Sequence, residues 1–469
     1  MGLNMSTAEP LGPSASQTPE SLTPLLVGSA LIALGWLAVL SMVGPAGYLA
    51  PLGLLLAAAS LWVVACAMQG RTWALAGLLG FALVVPNVNF MPTALHEGPA
   101  LNAQTGLKLL LWASMGVVAL ARLPRFLPLM RDRMVLSIGG FSLVAIASTL
   151  WSLTPIYTAI GSLGFLAALL FACAVAVELS EETLYRTVIV SFLIYVAMNI
   201  AAAVALPQIA WLAPYGESDS PRLQGVSSHP NILGKEMASF VCLVLPLALA
   251  YGKKRTAYLL TSLAFCVLIA TLSRTSLGAI LIALALPILV RPQVARPLIW
   301  LIMATTGAAS LAIAVGFAPD LRSILDGASR SSDASEILTL TGRTELWGFV
   351  WDKILEAPFL GHGFGAADAV LSPQWWGAPD ASVGAHNTWL QSLLIVGVVG
   401  TIPLVWFHLE LVRRFFADRQ SLTRFMSPYL FILGLTEVEI AAHPVMLTIT
   451  TFLVVAQDAR RNQRMAEGA

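Results

Sequence analysis

The sequence predicts an all-α polytopic membrane protein of about 12 to 14 transmembrane helices, with one large external loop carrying short amphipathic helices. Three observations support this. Hydrophobic residues form 57% of the 469-residue chain and charged residues only 11%, against roughly a quarter charged in ordinary soluble domains. Mean hydropathy is +0.80, and apolar residues come in runs of about 20, the length that crosses the hydrocarbon core of a bilayer. Basic residues cluster between alternate runs, as the positive-inside rule requires.

Residues 1–22 are rich in Ser, Thr and Pro and lack a basic start, so they read as a disordered cytoplasmic tail, not a signal peptide. A transmembrane bundle of about eleven helices occupies 23–317. Its spans fall at 24–43, 47–68, 72–87, 106–121, 134–151, 157–177, 187–206, 233–251, 256–272, 275–290 and 298–317, with an outer loop at 207–232. Residues 318–385 are the one loop long enough to form a small external subdomain. The C-terminal spans lie in 386–457. One runs over 388–411, and two short apolar runs at 427–440 and 443–457 are either two crossings or one broken, re-entrant pair. A basic cytoplasmic tail follows over 458–469.

The net charge of +1 points to no nucleic-acid partner. Its distribution sets the topology. With both termini cytoplasmic, the inner loops hold Arg122, Arg125, Arg131, Arg133, Lys253, Lys254, Arg255, Arg413, Arg414, Arg460, Arg461 and Arg464. The outer side keeps Lys108, Arg222, Lys235, Arg274, Arg322, Arg330, Arg343 and Lys353, each a cation against the bias and therefore a lead. Cys66, Cys173, Cys242 and Cys266 all lie in apolar runs and read as small core residues. Within the large loop, 326-DGASRSSDASE-336 is polar and flexible, whereas 341-TGRTELWGFVWDKILEAP-358 has helical apolar spacing and ends at Pro358. That segment reads as an amphipathic helix at the outer boundary, with Trp347 and Trp351 as interfacial anchors. No internal repeat stands out, which weighs against a transporter built from inverted halves.

Motifs of soluble enzymes are missing, namely a Walker A loop, GxSxG, HExxH and zinc-type CxxC. Polar residues on the outer side remain. Arg274, in 273-SRTS-276 between two adjoining spans, either snorkels at a hairpin or faces the bundle as a bidentate anion ligand. Arg343 opens the amphipathic helix, where a cation opposes the helix dipole unless an anion docks there. Otherwise it is a solvated first-turn residue. His386 either takes a proton at neutral pH, as an imidazole with an ordinary pKa of about 6.5 can, or merely caps a span. Asn387 or Thr388 can cap the helix that follows. Glu437, Glu439 and His443, in 436-TEVEIAAHP-444, lie within a short span or on the outer turn beside it.

The stretch 386-HNTWLQSLLIVGVVG-400 resembles the His-[Asn/Ser/Gln]-x9-Gly-x-x-[Gly/Thr/Tyr] motif of bacterial O-antigen ligases and related polysaccharide polymerases. His386, Asn387, Gly397 and Gly400 match its four fixed positions. In the same order, 148-STLWSLTP-155, 222-RLQGVSSHPNILG-234, 272-LSRTSLGAIL-281 and 340-LTGRTELWGFVWDKILEAPFLGHGFG-365 look like segments of that superfamily. The resemblance implies a GT-C-type membrane glycosyltransferase of the bacterial inner membrane, working at the periplasmic face without cofactor or metal. Its donor would be an undecaprenyl-pyrophosphate-linked oligosaccharide, its acceptor a lipid-linked repeat or lipid A-core, and a chain-length regulator protein a further partner. Carried over residue by residue, it makes Arg274 and Arg343 the pyrophosphate contacts and His386 the residue that activates the acceptor hydroxyl, in an inverting transfer. Arg222, His229 and Asn231 match a further family segment and are assigned to substrate binding, with Asn387 and Glu437 beside them. Trp375 and Trp376 either stack on sugars or anchor the loop. The likeness of 340–365 leans towards a polymerase. A ligase, or a transporter or flippase of lipid-linked sugars, is the alternative.

Overall fold

The computed structural model describes residues 50–89, 103–212, 221–250, 253–290, 343–371, 384–417 and 423–467. The expected spans at 24–43 and 298–317, the polar stretch 326–336, and Trp375 and Trp376 lie outside them. The chain forms helices α1 (Ala50–Met68), α2 (Thr72–Val84), α3 (Ala103–Phe126), α4 (Arg133–Ala147), α5 (Pro155–Glu178) and α6 (Glu181–Ala205). A two-residue hairpin pairs β1 (Trp211–Leu212) antiparallel with β2 (Arg222–Leu223). Then come α7 (Pro230–Ala250), α8 (Lys254–Ala270), α9 (Arg274–Leu289), α10 (Arg343–Glu356), α11 (Thr388–Ala417), α12 (Thr423–Gly434) and α13 (Met446–Glu467).

Sequence-local chemistry starts these helices where it should. Pro155 opens α5, where its missing N–H costs nothing. Asp132 accepts from the Met134 amide to cap α4, and Ser180 caps α6 ahead of Glu181 and Glu182. Among the described residues, five stretches are long and apolar enough to cross a membrane: Gln104–Arg131, Arg133–Leu150, Pro155–Glu178, Glu181–Ala205 and Thr388–Ala417. The separate spans expected at 47–68 and 72–87 form a bent pair instead, turning by 118° between Met68 and Thr72. Gly70 makes that turn at φ +80°, with the Arg122 guanidinium packed against it. Leu136, Leu143, Leu163, Val204, Leu259, Trp406 and Leu409 stand exposed on outer helix faces, a surface suited to lipid.

Inside, small residues let helices close up. Gly164 of α5 leaves room for Trp112 of α3, where a Cβ would come within 2.8 Å of the indole. Phe141, Phe165, Phe364 and Phe452 interlock between α4, α5, the 358–365 loop and α13. Cations expected at the inner boundary gather at one end of the bundle. Arg122 and Arg125 pair with Glu178. Arg414 of α11 meets Asp132 at 2.6 Å, Asp458 at 2.7 Å and Glu410 at 3.3 Å. Asp458 thus sits in an internal ion cluster, and α13 runs on unbroken to Glu467 where a tail was expected from 458.

The most consequential departure from the sequence reading is in α11, expected as one straight span. Gly397 breaks it with φ 61° and ψ −168°, a region essentially restricted to glycine. Helical geometry would have bonded the amides of Val398 and Val399 to the carbonyls of Leu394 and Ile395. Instead Val398 and Val399 donate to Pro358 and Phe359, while His362 and Gly363 donate to Leu394 and Ile395, all at 2.8–3.1 Å. The 358–363 loop therefore replaces the missing turn bond for bond, which satisfies backbone groups that have no water to turn to. The same loop is tied to the 148–158 segment: Leu153 N–H donates to His362 O, Trp151 Nε1 to Leu360 O, and the Phe364 and Gly365 amides to the hydroxyls of Ser148 and Thr158. Three of the motif segments are thus one scaffold.

Candidate active site

At the opposite end of the bundle from the Arg414 cluster, the irregular stretch 435–445 turns the chain from α12 into α13. It is a turn between two helices. Glu437 and Glu439 within it are buried, and buried polar groups normally find partners inside the protein. Asn387 Nδ2 donates to Leu435 O at 3.0 Å. The Thr388 hydroxyl donates to Glu437 O and accepts from the Glu439 amide, both at 3.0 Å. Glu439 in turn meets His408 Nε2 at 2.7 Å, inside the protein.

This turn delivers the Glu437 carboxylate into a ring of polar groups. Asn231 Nδ2 donates to Glu437 Oε1 at 3.3 Å, while Lys235 Nζ and His386 Nδ1 each lie 3.5 Å from Oε2. The Glu437 side chain is 4% exposed and that of His386 is 33% exposed, so a buried anion faces an accessible imidazole. Arg222 completes the chain of contacts: its Nη2 donates to Asn231 Oδ1 at 2.6 Å and its Nε to Thr271 O at 3.0 Å. The β-hairpin holds Arg222 in place, and its Thr271 bond ties it to the α8–α9 turn.

His386 and Leu272 are the only non-glycine residues with positive φ among those described, at 45° and 50°. Both flank this cluster, and such conformations persist where the surroundings over-determine them. Asn387 caps α11 by accepting from the Trp389 and Leu390 amides at 2.9 and 3.0 Å. Capping therefore falls to Asn387, and the His386 ring is directed at Glu437 instead.

His229 stands two residues before Asn231, whose amide donates to His229 Nδ1 at 3.1 Å. That bond needs the Nδ1 lone pair and leaves the proton on Nε2. Burial and the neighbouring Arg222 guanidinium push the His229 pKa down to about 4, although Glu437 opposes the shift. The ring edge still reaches solvent, while its base is crowded by the cluster. A histidine at about 4 when folded and about 6.5 when unfolded binds more protons in the unfolded state between those values. Its contribution to stability is fully present above about pH 6.5 and is lost as pH falls towards 4. The wild-type melting temperature is therefore expected to fall more steeply over that window than that of His229→Gln. Equal pH slopes in the two proteins would refute the assignment.

Arg274 is the exposed first residue of α9, next to the turn that receives Arg222, and Ser273 of that turn packs on Gly234 of α7. Arg343 is the first residue of α10, and its side chain lies outside the described residues. One turn further on, Trp347 Nε1 donates to Ala385 O at 3.0 Å. Trp347 therefore links α10 to the His386 segment. Trp351, 49% exposed, keeps the outward position expected of an interfacial anchor.

So the structure brings together His386, Asn387, Glu437, Asn231, His229 and Arg222, sets Arg274 beside them, and places the start of α10 alongside through Trp347. Sequence reasoning named Lys235 as an outer cation but left it out of the site. The usable signal was a lysine five residues inside an apolar helix, which calls for a partner.

Residues 257–405 match the family model described as O-antigen ligase. This likeness, over about a third of the chain, supports the resemblance to the O-antigen ligase and polymerase superfamily. The matched stretch holds most of α8, then α9, α10, the 358–365 loop, His386, Asn387 and the broken part of α11. Arg222, His229, Asn231, Lys235 and Glu437 lie outside it. No curated protein matches the chain. That family is described by its ligase activity, and the apolar helices of this chain fit a multi-pass membrane protein.

Proposed function

We propose that this protein polymerises undecaprenyl-pyrophosphate-linked oligosaccharide repeats at the periplasmic face of the inner membrane. The observation that carries this reading is the His386–Glu437 pair, a semi-exposed imidazole backed by a buried carboxylate, set beside the arginine that opens α9. The acceptor hydroxyl attacks the anomeric carbon of the donor as the bond to the pyrophosphate oxygen breaks on the opposite face, inverting the configuration. His386 takes the hydroxyl proton through Nε2, the ring nitrogen away from Glu437, and Glu437 holds the ring and stabilises the imidazolium that forms. The pyrophosphate leaves with the bonding electrons. Arg274 and Arg343 each begin a helix, where a phosphate complements both the guanidinium and the positive end of the dipole. His229, neutral and protonated on Nε2, donates a hydrogen bond to the substrate, and Arg222, Asn231 and Asn387 fix the geometry around it. No metal or cofactor enters this scheme.

The description of the matched family as O-antigen ligase supports a second reading, in which the acceptor is lipid A-core. Purified protein reconstituted with the lipid-linked repeat alone separates the two. A size ladder of products is expected. Transfer only after lipid A-core is added would replace the polymerase by a ligase, and no glycosyl transfer in either case would refute both.

A further inference from the structure

The end of the bundle away from the Glu437 cluster holds a cavity of about 210 Å³, lined by Glu181, Gln457, Arg460, Arg461, Arg464 and Met465. Three guanidinium groups face one carboxylate. Arg464 lies 3.9 Å from Glu181, between groups more than half exposed, and such pairs stabilise little. Arg460 and Arg464 sit one helical turn apart on α13, an arrangement that repels. Arg460 is fixed there because it donates to the Ala176 and Leu179 carbonyls and so caps the end of α5.

An independent observation points to a ligand. Gln457, 7% exposed, lines this cavity, and its buried Nε2 donor has no hydrogen-bond partner. Buried amide donors are normally satisfied, and one left open is costly. A donor without an acceptor, in a cavity with excess positive charge, calls for an anionic oxygen. Arginine prefers phosphate because its planar fork donates two bonds to it.

We propose that this cavity binds the phosphate of an anionic phospholipid headgroup. A lipid is favoured over free phosphate by position. Here α13 changes from the wholly buried run Met446–Ala459 to a basic segment, at the level of the Arg122–Glu178 and Arg414–Asp132 ion pairs. Met465 adds an apolar wall. Basic pockets between helices at such a level suit acidic headgroups. The amide of Gln457 and the guanidinium of Arg464 would bind the phosphate oxygens, while Arg460 keeps its cap on α5 and holds the pocket open.

The test uses the purified full-length protein in a zwitterionic detergent. Native mass spectrometry and thermal melting are followed while phosphatidylglycerol, phosphatidylcholine or inorganic phosphate is added. Wild-type protein is expected to retain phosphatidylglycerol at least about tenfold more than phosphatidylcholine and to melt higher with it. Gln457→Leu removes an unsatisfied polar group, so its lipid-free melting temperature should hold or rise. It should nevertheless lose most of the phosphatidylglycerol preference, as should Arg464→Gln at an exposed position. The proposal fails if both variants bind phosphatidylglycerol like wild type, if phosphatidylcholine binds equally well, or if inorganic phosphate alone raises melting as much. Because the readout is binding, its outcome is independent of which sugar transfer the other end performs.

Discussion

Replacing His386 with alanine is expected to lower glycosyl transfer by about 10²–10⁴-fold, the usual contribution of a positioned general base, while folded protein still accumulates in the membrane. The fold should survive because Asn387 provides the cap of α11 and Trp347 holds the segment through the Ala385 carbonyl. The imidazole itself lies 3.5 Å from the Glu437 carboxylate and is a third exposed. Glu437→Gln keeps the size of the side chain, and Thr388 still holds its backbone carbonyl. It should lose a large part of the activity, because a neutral amide no longer fixes the ring or stabilises its protonated form. If Glu437 acts through His386, the double variant should be no slower than His386→Ala alone, the non-additivity expected of groups that work as a unit. Near-normal turnover in His386→Ala would remove it from the chemistry. A double variant far slower than either single one would give Glu437 a separate role.

Gly397→Ala is expected to prevent the protein from accumulating in folded form. An alanine at φ 61° and ψ −168° is strained by about 1–3 kcal/mol. Its Cβ would also come within 2.5 Å of the Leu360 amide nitrogen and closer still to the Phe359 carbonyl. Relieving that overlap pushes the 358–363 loop off α11 and breaks the four exchanged hydrogen bonds, each worth about 0.5–1.5 kcal/mol net and more when left unmade. The sum is a large fraction of the roughly 5–15 kcal/mol that holds a typical domain together. Gly348→Ala is the control. It lies in the middle of α10 with open space where its Cβ would go, so it should be neutral or stabilising by up to about 1 kcal/mol. Size-exclusion profiles and melting curves of detergent-extracted protein decide the matter. A Gly397→Ala protein as abundant and as stable as wild type would contradict the account of the break.

Much of this was legible from residues alone. Apolar runs gave the class, Asn387 announced a cap, and Arg274 sat where two runs almost touch. Arg122, Arg125 and Arg414, from loops read as inner, pair with acids at one end of the bundle. The role of Gly397 was hidden because the apolar run continues through it without a change of composition, and glycine is common in membrane helices. Breaking the helix depends on the 358–363 loop arriving from elsewhere, which no local pattern encodes. Glu437 was visible as an acid in an apolar setting, but Asn231 lies far from it in sequence, and only the packing of α7 against α12 brings them together. Spacing could mark Lys235 as in need of a partner and could not name it.

Gly397 and the 361-GHGFG-365 stretch have a joint consequence for inheritance. A lineage that lost the glycine would leave the loop no backbone to bond, and one that shortened the loop would leave α11 with carbonyls open to lipid. Neither change is tolerable alone, so the two should be gained, lost and transplanted together. Of the four fixed positions in 386-HNTWLQSLLIVGVVG-400, His386 is the one proposed to bear on reactivity, whereas Gly397 serves architecture. A search that finds the spacing therefore selects first for chains able to mend a broken helix, and what sugar they handle is written elsewhere.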